Sequence, residues 1–440
     1  MDQERLGNGL GDPNGLSLPM TTLTHIKNSR FEISPADRTV LRELAKKVAE
    51  LAARPEEKAK RELWYKHNDL EKARPLVYCD PENGWYEIIP HQTLKCGGPL
   101  ARIWEFRLRK EIFWAESMKD DRVTEDKFRV QYVFDETYFG LNLHVIAGED
   151  LDGAYTWEPA LPDYANLKNM RFREMTVDLQ RSKQLFDLAQ ETVGDILRVI
   201  YDGCFWWSLG MTWDLANMRG MEQMMADMYE NPADLHKLMA LFRDDHLHRL
   251  DLLEKNGLLT LNNEGEYVGS GGSGWTKELP QKDFDGKHVR TMDMWGFAES
   301  QETIGVSPQM FNEFILPYQI PLLARFGLNC YGCCEPVDKR WEYIVKIPRL
   351  RRVSVSAWAN IHDMAERLGD RYIYSWKPRP SDLAFPSIDK DAIRSYIRET
   401  VKAAKGCNLE IIMKDNHTIG NNPQNVIDWT RIAMEEAGAV

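Results

Sequence analysis

After Met170 the chain alternates short apolar or β-branched runs with longer helical stretches, and this alternation most restricts the folds open to it. The runs are Leu258 to Leu261, Gly327 to Tyr331, Leu350 to Ser356, Tyr372 to Trp376 and Leu409 to Met413. Strands separated by helices are free to run parallel, because a parallel pair needs a crossover of a dozen or more residues. Three helix starts are marked by a capping side chain directly before a proline: Asn231-Pro232, Ser307-Pro308 and Asn422-Pro423. The helix after Asn231 carries Leu235, Leu238, Met239, Phe242, Leu250 and Leu253 on one face, and the last helix carries Val426, Ile427, Ala433 and Met434. The expected fold is α/β, a (β/α)8 TIM-type barrel over 170–440 with an elaborated N-terminal extension over 21–169. Within the extension the periodicity from Pro35 to Lys72 predicts helix, and short strands are expected near Leu76–Cys79, Arg129–Phe134 and Leu141–Ile146. Residues 1–20 are Gly-rich and aperiodic, which predicts a flexible arm.

Charge narrows the partners. With 56 Lys and Arg against 68 Asp and Glu, the 440 residues carry a formal charge of −12 and no dense basic run. Neither nucleic acid nor an anionic membrane is expected as a partner. No run reaches the roughly 18 apolar residues of a spanning helix, and the polar N-terminus lacks the core of a signal peptide, so the expected location is cytoplasmic. Seven cysteines are too few and too scattered for a disulfide framework in so long a chain. The cluster Cys330, Cys333, Cys334 therefore reads as chemistry or metal binding.

In a parallel β/α fold, function collects past the C-terminal ends of the strands. Those ends carry Asn262 to Glu266, Gly332-Cys333-Cys334-Glu335, Ala357 to Asn360, Lys377-Pro378-Arg379 and Lys414-Asp415-Asn416-His417. Thiolates bind zinc at neutral pH, and a catalytic zinc keeps one position open. Successive side chains diverge on a strand, so a single thiol is expected as ligand, Cys334 ahead of Cys333. His417 is the expected imidazole ligand and Asp415 a group that orients it or takes part in catalysis. Glu264 and Glu266 follow one expected strand, and Glu299 and Glu302 precede the Ser307 helix. Of these, Glu302 is read as a further metal ligand, and Glu266 and Glu299 as catalytic acids or bases. The run Gly269 to Gly274 lacks the ending of a phosphate loop and reads as a flexible loop or lid. Among 14 tryptophans, Trp206, Trp207, Trp213, Trp275, Trp295, Trp358 and Trp376 flank the same ends. Trp295, Trp358 and Trp376, with Asn262, are the expected binding groups for a flat ligand.

From about Leu179 to the C-terminus the chain resembles the uroporphyrinogen decarboxylase-like superfamily. The resemblance is carried by MRGMEQMMADMYENPADLHKLM, SPQMFNEFILPY, the Cys motif followed by PRLRRVSVSAWANI, and NNPQNVIDWTRIAMEEA. Within it the chain looks most like the cobamide-dependent methyltransferases. That resemblance implies zinc, a His-x-Cys motif at a strand end, another ligand near the last strand, and methyl transfer from a small methoxylated or methylamine-type donor. On that pattern Cys334 takes the Cys position and Asn416 or His417 the late one, while Gly332 stands where the His would fall; Glu299 or Glu302 would then complete the set. The chain has no Asp-x-His-x-x-Gly segment, so the corrinoid (cobalamin) would arrive on a separate corrinoid protein. A homodimer is also among the expected assemblies. The alternatives are a metal-free barrel that binds an aromatic or tetrapyrrole ligand, and a uroporphyrinogen-type decarboxylase, although the Arg-rich N-terminal loop of the latter has no counterpart in the first hundred residues.

Overall fold

Eight parallel strands carry the fold in a computed structural model that describes residues 31–141, 143–146 and 156–438. They are β1 (Leu76–Cys79), β2 (Lys127–Gln131), β3 (Arg198–Asp202), β4 (Trp295–Ala298), β5 (Leu328–Tyr331), β6 (Leu350–Val355), β7 (Ile373–Trp376) and β8 (Asn408–Met413). Six of them form one sheet in the order β1-β8-β7-β6-β5-β4, and β2 pairs separately with β3. The α/β class and the parallel sheet are as expected. β1, β4, β5 and β7 are buried along their whole length, the pattern of strands covered on both faces. The arm expected at 1–20 lies outside the described residues.

Three features differ from the expectation. First, β1 lies in the stretch assigned to the extension, yet it pairs with β8, so the sheet begins well before residue 170. Second, among the described residues the ladders do not run round a closed barrel. At the free edge of β1, Asp121 accepts from the Val77 amide (2.8 Å) and donates its own amide to the Val77 carbonyl (2.9 Å), while Asp120 accepts from Cys79 (2.8 Å). At the edge of β4, the Asn262 side chain accepts from the Trp295 amide (2.8 Å) and donates to its carbonyl (3.0 Å). Side chains thus occupy both edges where a neighbouring strand would bond. The expected strand Leu258–Leu261 forms no ladder, whereas Trp295–Ala298, not among the expected strands, is a core strand.

Third, the glycine run is no lid. Tyr267 and Ser273 bridge antiparallel, making a tight hairpin whose tip is buried inside the sheet. Gly271 has φ 107°, and a Cβ there would stand 2.4 Å from Ile412 Cγ2 on β8, so only glycine fits. Around this hairpin the interior packs Val268, Trp295, Phe297, Leu328, Cys330 and Ile373.

The marked helices form at Pro232–Lys255, Pro308–Phe314 and Pro423–Glu436. Ser307 and Asn422 cap through their side chains, while Asn231 donates its amide to Asp227 instead (3.0 Å). The N-terminal helical stretch breaks into Pro35–Ala52 and Pro55–Asn68, because Pro55 cannot continue the ladder of the helix before it. Among the described residues no helix is long and apolar enough to cross a membrane.

Candidate functional site

Two strand ends meet over the hairpin tip. β5 ends at Tyr331, and the next residue, Gly332, has a φ of 90° that turns the chain so that Cys333 and Cys334 no longer follow strand geometry. Their sulfurs lie 3.5 Å apart on one side, which overturns the expectation that adjacent cysteines must diverge. From β8 comes Asp415, itself at φ 61°, whose Oδ2 lies 3.1 Å from Cys334 Sγ. The two sulfurs and the carboxylate all lie within 4.8 Å of one another, with Cys333 buried and the other two half-buried. Two thiols and a carboxylate are a fitting donor set for zinc, leaving a position open on the half-buried side.

The surroundings hold this set in place. Ser270 at the hairpin tip donates to Cys333 Sγ (3.1 Å). The Lys414 ammonium stands 3.1 Å from Asp415, 3.7 Å from Cys333 Sγ and 3.7 Å from Glu82. Burial would raise the Asp415 carboxyl, but Lys414 and the Cys334 thiol hold it below its ordinary value. The contact with Cys333, followed by burial, pushes the Cys334 thiol up, so ionising it requires a cation beside it. Burial also pushes Glu82 up to about 7 and Lys377 down to about 8. Trp207 lies under the Lys414 ammonium at 5.7 Å.

A second layer is carboxylic. Glu335 accepts from the Cys333 amide (2.8 Å) and the Ser300 amide (2.8 Å), fixing the turn that presents the thiols. Glu299 accepts from Ser208 (3.1 Å) and Glu302 from Thr212 (2.6 Å). Burial, then the neighbouring Glu302 and Glu335, pushes Glu299 well above the ordinary carboxylate range, and burial raises Glu302 as well.

Several expected site residues stand elsewhere. His417 is exposed in the bend after β8, since the chain reverses at Asp415 and presents that carboxylate to the thiols. Glu302 is not among the groups that converge with them. Glu266 is engaged by Arg129 (2.5 Å) and the Glu264 amide (2.9 Å), which makes it an ion-pair partner. Asn262 spends both ends of its amide on Trp295. Trp295 is buried with its indole donating to the Gly274 carbonyl (3.0 Å), and Trp376 is buried against Tyr396. Trp358 alone of the three expected tryptophans is open, at 75 % exposure. A side chain at Gly332 would place its Cβ 2.9 Å from Val337 at positive φ, so the backbone here favours glycine. Lys414 and Glu335 stand among the expected strand-end residues without an expected role, and Glu82 and Ser270 are not among the expected site residues. A lysine at a strand end beside an acid is the one signal that pointed to this group, and Ser270 lies too far along the chain for spacing to reveal it.

No family model matches the chain, and no curated protein matches it. Among solved structures it is similar to a methyltransferase from Methanosarcina mazei, at 11 % identity and a TM-score of 0.47, over 86 % of this chain and 97 % of that one. A likeness of that degree carries no argument about activity.

Proposed function

We propose that the protein is a methyltransferase of the corrinoid-dependent type, with an α/β barrel scaffold and a zinc held by Cys333, Cys334 and Asp415. The observation that carries this reading is the convergence of two sulfurs and a carboxylate within 4.8 Å at the ends of β5 and β8. The family resemblance of the sequence supplies the reaction: methyl transfer from a small methoxylated or methylamine-type donor to the cobalt of a corrinoid on a separate protein. Zinc bound there would supply Lewis-acid polarisation of the heteroatom that carries the methyl group.

The chain's own groups prepare the site for that task. Lys414 offsets the negative charge that two thiolates and Asp415 gather in a buried place, and Ser270 fixes the direction of the Cys333 sulfur. Glu335 locks the backbone turn of the two cysteines. Glu299, held by Ser208 and the Gln301 amide, is a buried carboxyl behind the turn of the two cysteines, and burial with the neighbouring Glu302 and Glu335 favours its neutral form. The donor enters past the half-buried Cys334 and Asp415, beside Trp207.

The test combines elemental analysis with methyl transfer from a panel of methoxyarenes and methylamines to added cob(I)alamin. Wild type is expected to hold one zinc per chain, and Cys334→Ser and Asp415→Ala to lose it. Losing several kcal/mol of leaving-group stabilisation should slow transfer by at least about a thousandfold. Undiminished transfer in both variants would remove the zinc mechanism, and failure with every donor would remove the methyltransferase reading.

A further inference from the structure

Two adjacent thiols can react with one another as well as with a metal. On a regular strand successive side chains point to opposite faces, yet Cys333 Sγ and Cys334 Sγ lie 3.5 Å apart on one side. The turn that brings them together is held at several points. Gly332 supplies the left-handed φ of 90°. Glu335 accepts from the Cys333 amide (2.8 Å), and the Ser354 hydroxyl donates to the Cys333 carbonyl (2.9 Å), so both backbone polar groups of that residue are fixed. Ser270 donates to the Cys333 sulfur itself (3.1 Å). All seven cysteines are free, and Cys330, the nearest of the others along the chain, is buried on β5 with its sulfur 3.7 Å from Arg352.

Access to the two sulfurs is unequal. Cys334 is half-buried and Cys333 buried, the arrangement of an oxidisable thiol with a resolving partner behind it. Their sulfurs need to approach by about 1.5 Å to reach the roughly 2 Å of a disulfide, a distance that rotation of the Cys334 side chain covers. Adjacent Cα atoms stand about 3.8 Å apart, closer than the roughly 4.4 Å or more of an ordinary bridge. The closed ring is therefore strained, and strained disulfides are the ones that thiol reductants reopen.

We propose that Cys333 and Cys334 are a reversible redox pair, which closes to a vicinal disulfide when a small hydroperoxide oxidises Cys334. In the first step Cys334 Sγ attacks the terminal oxygen of the peroxide. The O–O bond breaks, Cys334 becomes a sulfenic acid, and its thiol proton leaves on the alcohol or water released. Cys333 Sγ then attacks Cys334 Sγ: the S–S bond forms as the S–O bond breaks, and hydroxide departs with the Cys333 proton as water. Two electrons pass from the two sulfurs to the one O–O bond. Closure withdraws both sulfur donors from the metal set; that consequence rests on the zinc reading, whereas the bond itself does not.

Thiol counting and tandem mass spectrometry of the full chain, as purified and after chelation, test the proposal. A small excess of hydrogen peroxide on the chelated chain should remove two of the seven free thiols and the mass of two hydrogen atoms. Within the tryptic peptide 326–339 the new bond should join Cys333 to Cys334 while Cys330 still takes an alkylating label, and dithiothreitol should restore both thiols. Cys333→Ser should stop at a sulfenic acid on Cys334, captured by dimedone, whereas the control Cys407→Ser should close as wild type does. Zinc added first should suppress closure; closure in a chain that retains no zinc would support the redox pair and remove the metal reading. Thiols left intact by peroxide, a bond to any other cysteine or to a second chain, sulfinic acid at Cys334 beside an unreacted Cys333, or thiols that dithiothreitol does not restore would each overturn the proposal.

Discussion

The two sides of the molecule are held together by different forces. From β4 to β8 the strands pair through parallel ladders, with one register shift between Leu350 and Arg352, and one buried charge network crosses them. Glu410 there meets Arg352 (3.0 Å) and His67 (3.1 Å), with Ser375 bonded to the same carboxylate. Between β1 and β4 the backbone ladder is interrupted on either side of the β2–β3 pair, and Asp120, Asp121 and Asn262 bond the open strand edges while Lys127 and Arg129 are tied to Glu125, Glu264 and Glu266. Ladder bonds are cheap for a sequence to specify, because every residue brings one donor and one acceptor. Side-chain substitutes need particular residues at particular places. The thiols sit on the laddered side and a dense cluster of ion pairs on the stitched side.

Breaking the charge network of the laddered side should have the largest effect. Arg352→Met leaves the Glu410 carboxylate buried with one partner fewer, and chemical denaturation should report a loss of about 3–5 kcal/mol. A loss far below that would mean that the ladders alone hold this side. The pH dependence sharpens the same point. Burial would raise Glu410, but Arg352 and His67 hold it at about 2, below the ordinary 4.5. Its stabilisation is therefore complete above pH 4.5 and disappears as the pH falls towards 2, a change of about 3 kcal/mol. Denaturation at a series of acid pH values should show that slope in wild type and a shallower one in Glu410→Gln.

On the stitched side the effects should be smaller and local. Asn262→Ala removes both bonds to Trp295, which should cost about 1–3 kcal/mol and speed hydrogen exchange at the Trp295 amide more than at amides of β6. Glu266→Gln weakens one member of a half-buried cluster, worth about 1 kcal/mol, and the difference from wild type should shrink in concentrated salt. Equal exchange rates on the two sides would dissolve the distinction between them.

Apart from β4, the laddered side is also the side that could be read from the sequence. Leu350–Val355, Ile373–Trp376 and Asn408–Met413 announce themselves as apolar runs, and Pro308 and Pro423 fix helix starts before and after them. The stitched side could not be read in this way. Nothing local in Asn262 reveals that its amide replaces a strand, and Leu76–Cys79 is too short to reveal that its partner lies more than three hundred residues away. At the site, the thiols were legible from their spacing in the chain. Their shared direction was not, because it depends on Gly332 at positive φ, and the choice of Asp415 over His417 depends on a second left-handed residue that a one-letter pattern does not show. The glycines of 269–274 were read as freedom, yet Gly271 is there because Ile412 leaves no room for a side chain.

That buried hairpin gives the thiols a closed back. Ser270 bonds to Cys333 from beneath and Gly271 packs against Ile412, so the sulfurs stand on a floor of packed residues, with Cys334 and Asp415 on the half-buried side. For the reaction proposed above, a small donor would be seated on that side before a protein-borne acceptor covers it, and the spent donor would leave after the acceptor withdraws.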